Sequence, residues 1–411
     1  EYLNDLIYRN LMLRIHFLLI GHFVFFQCDK PVTVIEKALK NPNPKIQNVF
    51  ENKNEHEIQI LLSEIKRNHS GEVLFKESTY QLDEDLYFYP ASTAKLPIAI
   101  LALQKLNSLK AKGIPISGDT PFYIRNMDGE TIVDRDSTQK KGIVTVNHLI
   151  KKIFLVSDND AYNYLFDFLG TDYINRELIK KGLNKTQINH KFLIGADNQN
   201  TWEYTFFGDN KKIIYYQPSI KAEFELPPQN LKGVLKGIGY VELENIIYEP
   251  MNFEMKNRIS IRNLEGILKR IIFPEAFQKQ ERFDLTTEDY NFLKYWMSRT
   301  TLESNYPDYN SENYWDSYVK FFIYGDKKDV MNPEIRIYNK VGDAYGTITD
   351  VAYINDKKNE IEFFLTATIL VNENKIFNDD IYESDQIGIP FLAALGRAVL
   401  EELKKDKLLF N

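Results

Sequence analysis

Apolar positions recur along this chain with two periods, and the period changes more than once. "EIQILLSEIKR" and "GEVLFKESTYQLD" are strand-like runs split by "NHSG", the arrangement of a hairpin. After them, Leu96, Ala99, Ile100, Leu103 and Leu106 fall at helical spacing, and Ser92 is placed to cap that helix. "TVNHLIKKIFLVSDNDAYNYLFDFLG" reads as two helices. Thr145 caps the first, Leu149, Ile150, Ile153 and Phe154 give it an apolar face, "SDND" interrupts the pattern, and Gly170 ends the second. Helical spacing returns in "SIRNLEGILKRIIF" and "TTEDYNFLKYWMSR". It gives way to "IRIYNKV", "TITDVAYIN" and "IEFFLTATILV", three strands of an antiparallel meander, and then to a closing helix, "IPFLAALGRAVLEEL", with Pro390 at its start.

Residues 185–257 keep neither period. They are aromatic-rich, contain Pro227 and Pro228, and offer short candidate strands in "KKIIYYQ" and "KAEFEL". A large insertion is expected there. Strands at both ends and helices between them predict an α+β fold, with an antiparallel sheet built from both chain ends, flanking helices and a mostly helical subdomain. The expected boundaries are an export signal at 1–28, a tether or first short helix at 29–55, and one domain over 56–411.

Composition narrows the function. The net charge of −7 lacks the basic surplus of a nucleic-acid binder. No glycine-rich phosphate loop is present, and no cofactor is expected. His16, His22, His56, His69, His148 and His190 do not cluster, and the single cysteine excludes an intrachain disulfide, so no metal site is expected. "MLRIHFLLIGHFVFFQCDK" places Arg14 before about a dozen mostly apolar residues and then Cys28. That run has the length of a signal-peptide core and is short for a membrane span. A cysteine directly after it suggests a bacterial lipoprotein signal, with Cys28 as the lipidated first residue of an exported, periplasmic or membrane-anchored monomer. Gln27 departs from the small residue usual before such a cysteine, and Met12 is an alternative start, since the sequence opens on Glu1.

The chemistry centres on "PASTAKLP", where Ser92 and Lys95 lie one helical turn apart. A serine needs a base, and a lysine serves as one only where burial or a neighbouring cation lowers its pKa. The pattern alone is weak, because it also occurs at Ser63/Lys66, Ser137/Lys140 and Ser317/Lys320. Only Ser92 heads an apolar helix flanked by small residues, Ala91 and Ala94. Two further motifs follow in order: Ser157–Asp158–Asn159 at the helix break, and Lys340–Val341–Gly342 in a late strand.

Together the three motifs resemble the active-site triplet of the penicillin-recognising serine enzymes, and the chain is similar to class A β-lactamases from about residue 56 to the end, apart from 185–257. "KVGDAYGTITDVAYI" resembles that family's strand, turn and following strand, with Asp350 in register. The resemblance implies a β-lactamase/transpeptidase-like fold and a role for each matching residue. Ser92 would be acylated, with Lys95 as proton acceptor or relay. Ser157 would pass the proton to the leaving nitrogen, and Asn159 would hold Lys95 and the substrate amide. Lys340 would supply positive potential, and Gly342 would allow close approach of the strand edge to a ligand. The backbone N–H groups of Ser92 and Asp343 would form the oxyanion hole, and Asp158 would be structural.

Two departures stand out. Val341 replaces a hydroxyl residue that helps bind a substrate carboxylate, with Tyr345 or Thr347 as possible substitutes. The family's deacylating glutamate, with asparagine four residues on, has no match between Gly170 and Ser260. "INHKFLIGADNQN" occupies its place, leaving Glu203, Glu223, Glu225, Glu242 and Glu244 as candidates. Three readings stay open: a β-lactamase-like hydrolase of small-molecule substrates, a slow-deacylating peptidase or esterase of the same fold, and a weakly catalytic binding protein. In the last, Trp202, Tyr204, Phe206, Phe207, Tyr215 and Tyr216 would fill the cleft or form a partner surface.

Overall fold

Five strands with alternate side chains on opposite faces form the central antiparallel sheet. They are β1 (Gln59–Arg67), β2 (Val73–Tyr80), β3 (Ile335–Ala344), β4 (Thr347–Asp356) and β5 (Ile361–Leu370), in the spatial order β3-β4-β5-β1-β2. β1 therefore lies between β5 and β2, with Leu62 opposite Leu365 and Ile60 opposite Ala367. Tyr345 and Gly346, both at positive φ (53° and 69°), make the two-residue turn from β3 to β4. The computed structural model describes residues 32–410 apart from 54 and 311. The fold is that of the unit that begins at Val34. The expected signal core and Cys28 lie outside the described residues.

The period-2 pattern sorts the sheet between two cores. Phe363, Leu365, Ala367 and Ile369 join Ile60 and Leu62 on one face, under α1 (Val34–Leu39), α2 (Pro44–Glu51) and the C-terminal α9 (Ile389–Phe410). Residues 34–51 are thus two short helices set in the core; Lys37 of α1 pairs with Asp406 of α9 at 2.8 Å. Phe364, Val351 and Tyr353 face the other core. The helices there are α3 (Lys95–Ala111), α4 (Val146–Val156), α5 (Asn159–Leu169), α6 (Thr171–Lys180), α7 (Ile261–Ile272) and α8 (Thr287–Ser298). α3 is buried on nearly every side, as its almost unbroken apolar run requires. Thr145 caps α4 by accepting from His148 N (3.2 Å).

The 185–257 stretch differs in detail from the sequence expectation. α6 follows directly after Gly170 and just ahead of this stretch, where the sequence pattern predicts only a helix end. Strand Glu203–Phe207 pairs with Phe122–Arg125 and Ile213–Gln217, and puts Tyr204 and Phe206 into the main helical core. "KKIIYYQ" supplies a strand at Ile213–Gln217, whereas "KAEFEL" forms none. Its backbone is held instead by α6: Glu223 N and Phe224 N both donate to Asp172 Oδ2 at 3.0 Å, and the Arg176 guanidinium sits 4.1 Å from the Phe224 ring. Among the described residues no helix is long and apolar enough to cross a membrane.

Candidate active site

Ser92 sits in a single 3₁₀ turn, Ala91–Ala94, that runs into α3. Pro90 O tightens the turn by accepting from Thr93 N (3.0 Å) and Thr93 Oγ1 (2.6 Å). Ala91, just before the serine, is held in the left-handed region at φ 45°, a strained conformation that surrounding contacts must impose. Ser92 does not cap α3 as expected: no side-chain cap bond occurs at the turn or at the helix start. Its hydroxyl belongs to the walls of two cavities instead.

The break between α4 and α5 brings the second motif beneath that turn. Ser157 ends α4 in a left-handed conformation (φ 58°), its N–H bonded to Ile153 O at 3.2 Å. Asp158 caps α5 by accepting from Ala161 N (2.8 Å) and pairs with Lys152 at 3.2 Å. Lys95 Nζ donates to Asn159 Oδ1 (2.6 Å), to Ser157 Oγ (3.3 Å) and to Ser157 O. Lys340 Nζ arrives from β3 and donates to the same Ser157 Oγ at 2.8 Å and to Val341 O at 2.8 Å. One hydroxyl thus joins two buried lysines. Burial lowers the Lys95 pKa to about 7, against the opposing pull of Asp158. Burial lowers the Lys340 pKa well below its ordinary value, and the charge of Lys95 lowers it further. A lysine near 7 is half neutral at physiological pH and can accept a proton.

β3 is pressed against the serine turn, and glycine permits it. A Cβ on Gly342 would lie 2.6 Å from Pro90 O and 3.0 Å from both Ser92 N and Thr93 N. The close approach is therefore to the serine's own backbone, where the sequence suggested a ligand. Gly342→Ala is expected to push β3 away from residues 90–93. Labelling at Ser92 by an acylating probe should then fall at least tenfold, with a stability loss of about 1–3 kcal/mol by urea titration. Unchanged labelling would show that the turn tolerates displacement. Behind β3, Asp350 stands opposite Val341 and accepts from Asn339 Nδ2 (2.9 Å) and Phe322 N (3.2 Å). Asn339 Oδ1 in turn accepts from the buried Lys320 at 2.7 Å.

The other Ser-x-x-Lys pairs do not build such a site. Ser63 Oγ is buried and donates to Glu265 (2.5 Å) while Lys66 reaches outward to Glu64. Ser317 Oγ donates to Lys327 O at 2.5 Å. Ser137 lies in an irregular loop.

Two cavities flank Ser92, one of about 500 Å³ and one of about 570 Å³. Phe192, from the segment that replaces the glutamate loop, lines the first, with its ring 5.2 Å from Lys95 Nζ and stacked on Tyr162 at 4.4 Å. Tyr89, Tyr345 and Tyr382 complete its aromatic wall. Tyr314, Trp315 and Tyr318 line the second, beside Ser157, Asn159 and Val341. The sequence reading did not find these walls, although the density of rings in "NYWDSY" was a visible signal. Of the two suggested substitutes for the missing hydroxyl, Tyr345 lines a cavity and Thr347 does not. No glutamate lines either cavity, so Glu203, Glu223, Glu225, Glu242 and Glu244 do not reach the site. None of the six insertion aromatics lines them either; Phe253 packs on Tyr89 behind the serine turn (ring centroids 6.0 Å). Among the described residues no cluster of His, Cys, Asp or Glu is arranged to hold a metal.

An α+β fold that places Ser-x-x-Lys, Ser-Asp-Asn and a lysine strand around one cavity defines a serine hydrolase of the β-lactamase type. The family model for the beta-lactamase enzyme family matches residues 41–403, and the chain belongs to that family of hydrolases. Solved β-lactamase structures are similar at low identity. That from Xanthomonas campestris is 14% identical with a TM-score of 0.49, over 90% of this chain and 99% of the other. That from Sphaerobacter thermophilus is 14% identical with a TM-score of 0.47, over 90% and 96%. That from Streptomyces albus G is 13% identical with a TM-score of 0.45, over 85% and 96%. No curated protein matches the chain significantly.

Proposed function

We propose that this chain is a class A-like serine acyl hydrolase that is acylated at Ser92 by a β-lactam or related amide or ester and releases the acyl group slowly. The observation that carries the reading is the convergence of Lys95 and Lys340 on Ser157 Oγ beside the Ser92 cavities. Ser92 Oγ attacks the carbonyl carbon while Lys95, as free amine, takes its proton. The Ser92 and Asp343 N–H groups donate to the carbonyl oxygen and stabilise the negative charge that develops on it. The proton passes from Lys95 through Ser157 Oγ to the departing nitrogen or oxygen as its bond to carbon breaks. Burial keeps Lys95 poor in protons, and Lys340 donates to the same Ser157 hydroxyl. Asn159 keeps the amine aimed and offers its amide to the substrate.

Deacylation needs a base for water, and no glutamate lines the cavities. This favours the slow-deacylating, peptidase-like variant of the reading over a fast resistance enzyme. It also leaves the cleft open, which counts against a binding protein with a filled site. The test is incubation with saturating fluorescent penicillin. A label on Ser92 that survives electrophoresis is expected, forming faster as pH rises through about 7, because Lys95 must lose its proton to act. Rapid turnover with no lasting label would overturn slow release. A labelling rate that falls over the same pH range would overturn Lys95 as the base.

A further inference from the structure

The walls above Ser92 carry an unbalanced charge. Asp158, Asp160, Asp343, Asp380 and Asp385 line the two cavities, and no Lys, Arg or His does. Asp158 is neutralised by Lys152, but among the described residues none of the other four stands in an ion pair. Asp343 lines both cavities, one residue beyond the glycine pressed against the Ser92 turn. It accepts a single hydrogen bond, from Ser384 Oγ at 3.1 Å. Lost hydration between the walls, with Asp385 adding to it, raises the Asp343 pKa to about 6, which leaves it mostly ionised at neutral pH. The lysines of the site lie beneath its floor, and burial weakens the positive charge they can offer.

The rings provide a second, separate indication. Tyr89, Tyr345 and Tyr382 stand around Asp343 and Asp380 in one cavity, and Tyr314, Trp315 and Tyr318 around Asp160 and Asp385 in the other. Aromatic faces beside carboxylates are the ordinary recognition surface for an ammonium or quaternary ammonium group. Two of these rings already have lysine neighbours outside the cavity lining: Lys256 lies 5.7 Å from Tyr345 and Lys328 4.2 Å from Trp315. The remaining rings have no such partner among the described residues. Val341, where a hydroxyl would favour a substrate carboxylate, points to the same chemistry.

We propose that the acyl donor preferred at Ser92 carries a positive charge, with Asp343 and Asp385 selecting for it over carboxylate-bearing donors between the aromatic walls. This rests on the acyl-hydrolase reading above and names its substrate class: an ester or amide bearing an ammonium group. The acyl carbon is transferred to Ser92 Oγ as its bond to the leaving group breaks, and the leaving group departs with the serine proton.

The test uses 4-nitrophenyl esters of equal chain length ending in trimethylammonium, methyl or carboxylate, with Ser92→Ala as the background control. At low salt the cationic ester is expected to exceed the anionic one in kcat/KM by about tenfold or more, and the ratio should shrink as salt is added. Asp343→Asn/Asp385→Asn should bring the ratio towards one, whatever happens to the absolute rate. An anionic ester that reacts as fast as the cationic one, with Ser92 still acylated, would overturn the charge selection alone. A cationic preference that survives the double variant would overturn the assignment to these two residues. Failure of every ester and of penicillin to acylate Ser92 would overturn the hydrolase reading and this proposal with it.

Discussion

Ser92→Ala is expected to abolish the covalent label and to lower kcat/KM for any acyl donor by roughly three to six orders of magnitude, the scale seen when a serine nucleophile is removed. Its stability should stay within about 0.5 kcal/mol of the parent, because the Ser92 hydroxyl makes no hydrogen bond among the described residues and lines open cavities. Mass spectrometry of the intact protein after exposure to probe, together with urea denaturation, reads both quantities. A Ser92→Ala protein that still gains the mass of the probe would place the nucleophile elsewhere and remove the basis for every role assigned around it.

The largest effect on stability is expected at Asp167, away from the nucleophile. Its carboxylate and the Lys191 ammonium form an ion pair of 2.6 Å with side-chain exposures of 1% and 2%. Its second oxygen accepts from Trp202 N, and the Lys191 ammonium also lies 4.5 Å from the Trp202 ring. Asp167→Ala strips the partner from a buried cation, a change that costs about 3–5 kcal/mol. Urea titration should show the loss. Asp167→Ala/Lys191→Met should recover most of it, since no charge is then left without a partner. An equal loss in the double variant would mean that the Trp202 contact, and not the charge, dominates. The single variant should also disturb labelling, because Phe192, the next residue after Lys191, is a wall of the serine cavity.

How far this architecture could be read in advance depended on whether the signal was local. The helices from Val146 to Leu169 were legible because their break is written in cap residues, and the structure keeps Thr145 and Asp158 as caps. The meander was legible because ten-residue strands carry several turns of a period-2 pattern. α6 was missed because Gly170 reads as a terminus, although here it is only a hinge between two helices. Strand Glu203–Phe207 was missed because its partners, at residues 122–125 and 213–217, lie on either side of it in sequence, one of them about 80 positions away. In the site, the three motifs were legible as a set and meet at Ser157 Oγ. Beyond Asp343 and Tyr345 the rim was not: Asp385, Tyr89, Tyr314, Tyr318 and Tyr382 come from three separate segments that share no spacing rule.

The placement of β1 between β5 and β2 also governs when this protein can exist. Residues 59–67 find β2 directly after them, but their second neighbour exists only once residues 361–370 have been made. A nascent chain can pair one edge of β1 with β2 at once but carries its other edge open through most of synthesis, and the loop to be closed, from Arg67 to Ile361, spans most of the polypeptide. Ribosome-bound lengths ending before β5 hold all three catalytic motifs and still lack the sheet that brings them together. Assembly of the serine site is thus a late, all-at-once event.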